Sequence, residues 1–151
     1  MKITLDRISD EQEFMNMALD HFRELNPEFK PATDWRRSYF DSIRNNSDCS
    51  LCWILADGVR AGFVLYGIEN HRFLPRRTGV IYELYVLPEQ RRKGIAKVCA
   101  QNVIRELQKC SLSKIQLEIV EGNAAAERLW SSVGFSKISE RFAICAANSK
   151  A

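Results

Sequence analysis

The sequence has no long apolar run and little excess charge of either sign. No segment approaches the roughly 20 consecutive apolar residues that a membrane-spanning helix needs. The opening residues, MKITLDRISD, lack the apolar stretch of a signal peptide. The net charge is only +3, from 22 Lys and Arg against 19 Asp and Glu, which does not predict binding to nucleic acid or to a membrane. We therefore expect a soluble protein of the cytoplasm.

Cysteine and histidine are present, but not in a pattern typical of disulfides, a metal site or a catalytic triad. The five cysteines are an odd number, and a chain of 151 residues can fold without cross-links. Cys49 and Cys52 have ligand-like spacing, but no second pair or nearby histidine completes a tetrahedral site. His21, on the apolar side of the first predicted helix, and His71, in a loop, have no visible Ser or Cys partner. We expect reduced structural thiols and no metal.

Composition and periodicity predict one mixed α/β domain over residues 1–151. The apolar fraction of 46% and the charged fraction of 27% are ordinary globular values. Asp57-Gly58, between two apolar runs, suits a two-residue type I′ hairpin turn. Ser9 with Gln12 predicts a capping box at the start of the first helix, and Asn26-Pro27 predicts its end.

The expected element order is β-α-α-β-β-β-α-β-α-β. Strands are expected at 3–8, 51–56, 59–68, 80–87, 114–120 and 135–147. Helices are expected from Ser9, from Thr33 or Asp34 to about 45–46, at 94–109 and at 124–133, with Gly134 ending the last one.

The stretch from Tyr82 to Ala96 carries the most chemical information. A strand of β-branched and aromatic residues leads into the basic turn Arg91-Arg92-Lys93 and then Gly94, where a helix begins. The first turn of a helix has backbone N–H groups without intrahelical partners, and the helix dipole is positive there. A glycine also lets a phosphate approach the backbone closely. The pattern favours an anion site; the alternative is a strand-to-helix turn with a solvated basic face.

Two motifs resemble a known family. Arg91 to Ala96 resembles the acyl-CoA signature Gln/Arg-x-x-Gly-x-Gly/Ala of the GNAT superfamily of N-acetyltransferases, and it follows a strand ending in Tyr-Val-x-Pro, as in that family. Asn123 and the segment 126–135 resemble the family's Asn loop and its Ala-x-x-Leu-Tyr-x-x-x-Gly-Phe helix. The element order also matches. The resemblance implies a GNAT-like fold, with a central, mostly antiparallel twisted sheet, flanking helices, and a last strand that is here short or missing.

The resemblance implies acetyl-CoA, or another acyl-CoA, as acyl donor. The pyrophosphate would bind backbone amides, the pantetheine arm would pair with a strand as a peptide adds to a sheet edge, and Asn123 would hold the arm from its other side. The alternative for Asn123 is an ordinary loop residue. The pyrophosphate residues would be Arg91, Arg92, Lys93, Gly94, Ile95 and Ala96, and the pantetheine residues Leu84, Tyr85 and Val86.

The implied reaction is aminolysis of a thioester, for which Glu83 is the candidate general base. Strand alternation puts Leu84 and Val86 on one face and Glu83 and Tyr85 on the other. If the first pair faces the core, Glu83 faces the acceptor cleft and can take the proton of the amine directly or through water. A backbone N–H of Tyr85 or Val86 would stabilise the oxyanion. The alternative for Glu83 is a partly exposed carboxylate paired with an arginine.

Two features depart from the family pattern. Trp130 occupies the register where the family usually has a tyrosine that protonates the thiolate, and an indole is not a useful acid. Either the thiolate leaves unassisted, or a hydroxyl such as that of Tyr85 substitutes, or activity is weak or lost; Trp130 would pack against the pantetheine. After Phe135 there is length for one long strand where the family typically has two. The last strand is missing, very short, or supplied by a second copy in a homodimer.

The function expected from the resemblance is transfer of an acetyl group from acetyl-CoA to a primary amine of a small molecule or peptide, by direct attack in a ternary complex. The alternative is a non-catalytic acyl-CoA-binding module. Arg72, Arg76 and Arg77 would reach the CoA 3′-phosphate or an acidic acceptor, or form a solvated loop. A nucleic-acid-binding domain that uses the arginine clusters is a distant third hypothesis because the net charge is modest.

Overall fold

A computed structural model describes residues 1–146 as a five-stranded sheet with helices on both faces. The strands lie side by side in chain order, with three antiparallel pairings followed by one parallel pairing between the last two strands. The predicted mixed α/β fold with a mostly antiparallel sheet is confirmed. The elements are β1 (Ile3–Arg7), α1 (Glu11–Leu25), α2 (Trp35–Arg44), β2 (Cys49–Ala56), β3 (Val59–Asn70), β4 (Arg77–Val86), a 3-10 turn (Pro88–Gln90), α3 (Ile95–Gln108), β5 (Lys114–Gln116) and α4 (Ala124–Ser132).

The sheet separates two hydrophobic cores. Side chains alternate between the faces along each strand. Trp53 and Phe63 therefore pack on the side of α1 and α2, while their neighbours Ile54 and Val64 pack on the side of α3 and α4. The α1/α2 core also contains Ile8, Phe14, Met15, Ala18, Phe40, Ile43, Leu51, Leu65 and Tyr85, and the α3/α4 core contains Ile3, Ala61, Ile81, Val86, Ile95, Cys99, Ala100, Val103, Leu107 and Trp130.

The hairpin between β2 and β3 forms where the sequence predicts it. Asp57 and Gly58 have φ angles of 49° and 82°, so both turn residues are left-handed, as a type I′ turn requires. The carboxylate of Asp57 also accepts a hydrogen bond of 2.8 Å from the backbone N–H of Lys2. The contact ties the turn to the start of the chain beside β1.

The helix ends agree with the sequence except at the start of α1. Asp10, not Ser9, is the N-cap, and its carboxylate accepts from the backbone N–H of Glu13 at 3.1 Å. The expected Ser9 capping box is therefore wrong by one residue, because aspartate caps as well as serine does. Asp34 caps α2 without a side-chain hydrogen bond, and Gly134 ends α4 with a φ of 105°.

A β-bulge in β4 sets which face Glu83 occupies. In the register of β3 and β4, Leu65 pairs with Glu83 and Tyr66 pairs with Ile81, so Tyr82 has no partner. Simple alternation would put Ile81 and Glu83 on one face. The extra residue changes the phase, so Ile81 packs in the α3/α4 core while Glu83 lies on the α1 side.

The second half of the sheet is shorter than predicted. β5 contains three residues instead of the expected 114–120, and it pairs only with Thr78, Gly79 and Val80 of β4. The strand predicted at 135–147 does not form within residues 135–146, and Ala147 lies outside the described residues. A strand needs a hydrogen-bonded neighbour, and the tail offers its apolar side chains Phe142 and Ile144 to solvent instead, with 87% and 93% exposure. That a second copy supplies the missing strand stays a prediction.

We predict that Gly62→Ala destabilises the fold by about 1–3 kcal/mol or more, because overpacking that forces the backbone to move carries such costs. A Cβ on Gly62 would overlap the backbone carbonyl of Tyr85 in the facing strand. Gly79→Ala is the matched control, since its Cβ would meet the ends of leucine and isoleucine side chains, which can shift. Urea denaturation measures both variants, and an equal or smaller loss for Gly62→Ala would contradict the expected steric overlap.

Candidate active site

The start of α3 presents a row of unpaired backbone amides. Gly94 is the N-cap, with a φ of 79°, and no side chain caps the helix. The first helical bond runs from the Val98 N–H to the Gly94 carbonyl. Within residues 1–146, the N–H groups from Arg92 to Lys97 donate to no protein acceptor. A Cβ on Gly94 would meet nothing within 4 Å, so the space beside these amides is open. The arrangement is suited to an anion.

The three basic residues of the turn have different surroundings. The guanidinium of Arg91 donates to the Val86 carbonyl at 2.8 Å and to the carboxylate of Glu24 on α1 at 2.7 Å. It therefore ties the end of β4 to α1. Lys93 donates to the side chain of Gln90 at 3.1 Å. Arg92 is exposed and makes no ion pair in the part of the chain that the structure describes. Arg92 is thus the guanidinium of this turn that is available to a ligand.

One edge of β4 has no partner strand from Ile81 to Val86, because β5 pairs with β4 only as far as Val80. On the other edge, the N–H of Leu87 donates to the Ala61 carbonyl at 2.8 Å. Backbone groups alternate between the two edges of a strand, so those of Val86 and Leu84 point to the open edge and those of Tyr85 point to β3. Of the three residues predicted to pair with an extended ligand, Leu84 offers its N–H and carbonyl groups in the right direction. Val86 offers its N–H, because its carbonyl already accepts from Arg91.

Asn123 is the N-cap of α4. Its side-chain oxygen accepts from the backbone N–H of Ala126 at 3.1 Å, so the residue has a clear local role. The carboxamide N–H₂ makes no hydrogen bond within residues 1–146 and is free to donate. The sequence left two alternatives for Asn123, an ordinary loop residue or a residue that binds the ligand. They are compatible, because the side-chain oxygen caps the helix and the N–H₂ remains available.

Glu83 is paired with a histidine, not with an arginine. The Nε2 atom of His21 on α1 lies 2.5 Å from Oε2 of Glu83, and the side chain of Glu83 is 22% exposed. The two residues are 62 positions apart in the chain. Sequence reasoning gave His21 no role, although a lone histidine on the apolar face of a helix is a signal for a buried partner.

Two tyrosines flank this pair. Burial and the negative charge of Glu83 raise the pKa of Tyr39 on α2 well above its ordinary value. Burial, with the nearby charge of Glu24, raises the pKa of Tyr85, against the opposing charge of Arg91. Both phenols are therefore protonated at neutral pH. The ring of Tyr85 also lies under the guanidinium of Arg91, 5.5 Å from its centroid.

Other residues considered from the sequence lie away from this cluster. Trp130 is 7% exposed and packs in the α3/α4 core, with the ring of Phe135 edge-on at 5.5 Å. Cys49 and Cys52 pack against opposite faces of the sheet, as expected for structural thiols. Arg76 and Arg77 lie at the start of β4, whereas the basic turn follows its end, about 30 Å along a strand of this length. Arg76 lines an open cavity there with His71, Thr78, Ser113, Lys114 and Gln116.

Comparison with known families identifies the chain. The model of the acetyltransferase (GNAT) family matches residues 13–135. The chain belongs to the GNAT family. The match begins within the first turn of α1 and extends past the end of α4, and it therefore includes the open β4 edge, the amides of α3 and Asn123. The family supports acyl transfer as the class of reaction. A comparison with curated proteins found no match.

Solved structures share the fold at low identity. A ribosomal-protein-alanine N-acetyltransferase from Brucella melitensis biovar Abortus 2308 has a TM-score of 0.70 and 19% identity, covering 95% of this chain and 98% of its own. An aminoglycoside acetyltransferase from an uncultured soil metagenomic sample has a TM-score of 0.71 and 12% identity, with 97% of both chains covered. A transcriptional regulator from Bacillus halodurans C-125 has a TM-score of 0.75 and 17% identity, covering 95% and 99%. At sequence identities this low, the similarity shows a shared fold and nothing about function.

Two kinds of feature are missing from the described residues. None of the helices within residues 1–146 has the length and hydropathy to cross a membrane. The same residues contain no group of three or more His, Cys, Asp or Glu side chains arranged to hold a metal ion.

We predict that Asn123→Ala lowers the free energy of unfolding by about 1 kcal/mol, because it removes the cap of α4, while Asn123→Asp preserves it. Asp keeps the acceptor oxygen that the Ala126 N–H uses. Thermal or urea denaturation measures the difference, and equal stability of the two variants would argue against the capping role.

Proposed function

We propose that this GNAT-family protein transfers an acetyl group from acetyl-CoA to a primary amine of a small molecule or peptide. The observation that carries the proposal is the run of N–H groups from Arg92 to Lys97, which has no protein acceptor and adjoins an open strand edge. A diphosphate and an extended amide-containing arm are complementary to these two features in charge and hydrogen bonding.

The residues present fit an acyl-CoA. The amides of α3 and the guanidinium of Arg92 would bind the pyrophosphate, and the N–H and carbonyl groups of Leu84 would pair with the pantetheine amides. The Val86 carbonyl already accepts from Arg91, and the Val86 N–H would be left for the thioester oxygen. The carboxamide N–H₂ of Asn123 would donate to the same arm. Arg91 would contribute less than its neighbours, because its side chain already binds Val86 and Glu24 and its backbone N–H donates to the Pro88 carbonyl. When bound, the thioester supplies an activated acetyl group.

Glu83 is the proposed general base. An ammonium acceptor must lose a proton before its nitrogen can attack, and Glu83 would take this proton directly or through one water. The new N–C bond then forms as the C–S bond breaks, the bonding electron pair leaves on the thiolate sulfur, and the second proton of the amine goes to solvent. The backbone N–H of Val86 points to the open edge and would stabilise the oxyanion, whereas that of Tyr85 points to β3.

The thiolate lacks the proton donor that the family usually has, because Trp130 stands in place of the tyrosine. Trp130 is buried in the α3/α4 core and its indole is not an acid. Tyr85, the phenol that the sequence offered as a substitute, lies on the strand that carries Glu83, and its raised pKa makes it a weak acid. We propose that the thiolate leaves without direct protonation, because a thiolate is a stable enough leaving group for a thioester.

The first experiment combines binding and turnover. Acetyl-CoA should raise the melting temperature of the protein, since a ligand that binds only the folded form stabilises it. Thiol release should then be measured with polyamines, aminoglycosides, amino acids and peptide N-termini. Acetyl-CoA binding with turnover of at least one amine supports the proposal; binding without turnover of any amine contradicts the enzymatic part.

We predict that Glu83→Gln lowers kcat by about 100-fold or more at neutral pH, because a positioned general base contributes roughly 10²–10⁴ to the rate. The affinity for CoA, measured by calorimetry, should not change, since Glu83 faces α1 and not the amides of α3. Glu11→Gln, at the exposed first turn of α1, is the control and should keep full activity. A Glu83→Gln variant with wild-type kcat would exclude Glu83 as the base.

We predict that Asn123→Asp weakens acetyl-CoA binding without loss of stability, because it preserves the cap of α4 but replaces the donor N–H₂ by a carboxylate. Calorimetric titration measures the dissociation constant, for which we expect an increase of about 10-fold, the usual size of one lost hydrogen bond. An unchanged dissociation constant would leave Asn123 with its capping role alone.

A non-catalytic acyl-CoA-binding module is the second candidate, and the buried Trp130 in place of a tyrosine favours it. It predicts a melting-temperature increase with acetyl-CoA, no thiol release with any amine, and no functional consequence of Glu83→Gln. The two functions are therefore separated by the same pair of assays.

A further inference from the structure

The pair formed by His21 and Glu83 is unusual in its burial. His21 is 7% exposed, and it is the only residue with a charged or strongly polar side chain that is buried among the described residues. Burying an imidazole costs free energy unless it is hydrogen-bonded. Its Nε2 atom meets this requirement with Oε2 of Glu83 at 2.5 Å. The hydrogen bond that satisfies this buried imidazole is thus made to the proposed base.

The ring of His21 is held by its neighbours. Phe63 of β3 packs edge-on against it at 5.7 Å between ring centroids, and Tyr85 of β4 and Phe22 of α1 lie at 5.2 Å. A ring enclosed on several sides cannot change its rotamer without disturbing the α1/α2 core. His21 therefore presents Nε2 to Glu83 in a fixed direction.

The chemistry of the two groups sets the direction of the hydrogen bond. An ionised carboxylate only accepts, so Nε2 of His21 must carry the proton and donate it. Glu83 has two oxygens, and within residues 1–146 its side chain makes no other hydrogen bond. One oxygen is thus engaged from α1, and Oε1 is free for a proton from elsewhere.

We propose that His21 is a positioning residue for acyl transfer, whose Nε2–H holds Oε2 of Glu83 and leaves Oε1 directed to receive the proton of the acceptor amine. The inference rests on the proposed function of Glu83. A glutamate on a strand has three rotatable side-chain bonds, and fixing them before the substrate binds keeps the carboxylate near its reactive geometry. His21 acts through Glu83 and does not touch the substrate.

The test is a double-mutant cycle at His21 and Glu83. His21→Ala should lower kcat by about 10- to 100-fold, the cost of a misplaced catalytic group, with the affinity for CoA unchanged. His21→Gln, whose amide can donate to the same carboxylate, should recover part of the loss. In the Glu83→Gln background, His21→Ala should cause no further decrease, because its effect passes through the carboxylate. His71→Ala, which removes the other histidine, should keep wild-type kcat.

Ring nitrogen NMR gives a readout that is independent of turnover. The chain has two histidines, so the signals of His21 are assigned by comparison with His71→Gln. We expect a proton on Nε2 of His21 in a strong hydrogen bond, whose resonance shifts in Glu83→Gln. If His21→Ala is too unstable to assay, His21→Leu preserves the apolar volume and tests the same loss of the donor.

The outcomes separate this inference from the function on which it rests. If the wild type turns over an amine and Glu83→Gln is slow, but the His21 variants are as fast as the wild type, the inference alone fails. It also fails if His21→Ala slows the Glu83→Gln variant by its full factor, or if the proton of His21 is on Nδ1. A wild type that acetylates no amine overturns both the function and the inference.

Discussion

The geometry of this protein depends on the separation of β4 and β5 after three residue pairs. A sheet edge in the middle of a domain leaves backbone N–H and carbonyl groups that must find partners. Here the edge of β4 beyond Val80 has no strand partner within residues 1–146. The unpaired amides of α3 have a separate cause, the helix start at Gly94 that no side chain caps. The strand edge and the amides are close in the chain because α3 begins a few residues after β4 ends.

The bulge at Tyr82 adds the second element of the site. It turns Glu83 to the face of the sheet that carries α1, while Leu84 and Val86 remain on the α3 face. The carboxylate of Glu83 therefore lies beside His21, Tyr39 and Tyr85 on one face of the sheet. The backbone of the same strand forms the open edge. A strand of ten residues thus carries the proposed base and the open edge, and it leads to the unpaired amides of α3.

Short local patterns in the sequence predicted part of the fold and part of the candidate site. Asp57-Gly58 predicts a hairpin turn, and the basic segment before Gly94 predicts the start of α3. Both signals depend only on neighbouring residues. His21 and Glu83 come from elements 62 residues apart, and no local pattern reports a contact of that kind. The strand prediction for the tail after Phe135 was wrong for the opposite reason: the local signal was present, but the long-range partner was not. Its apolar alternation favours a strand locally, but pairing requires a neighbour, and β5 ends too early to provide one.

The two hydrophobic cores have a consequence for how such a protein can diverge. Side chains on the side of Glu83, where we propose that the amine binds, belong to the α1/α2 core. Those of α3, whose amides we propose to bind the acyl donor, belong to the α3/α4 core on the other side of the sheet. Substitutions in separate cores, without shared neighbours, act additively on stability. A library randomised only along α1, α2 and their connecting loop would therefore vary the proposed amine site while the half of the molecule that we propose to bind the thioester stays unchanged.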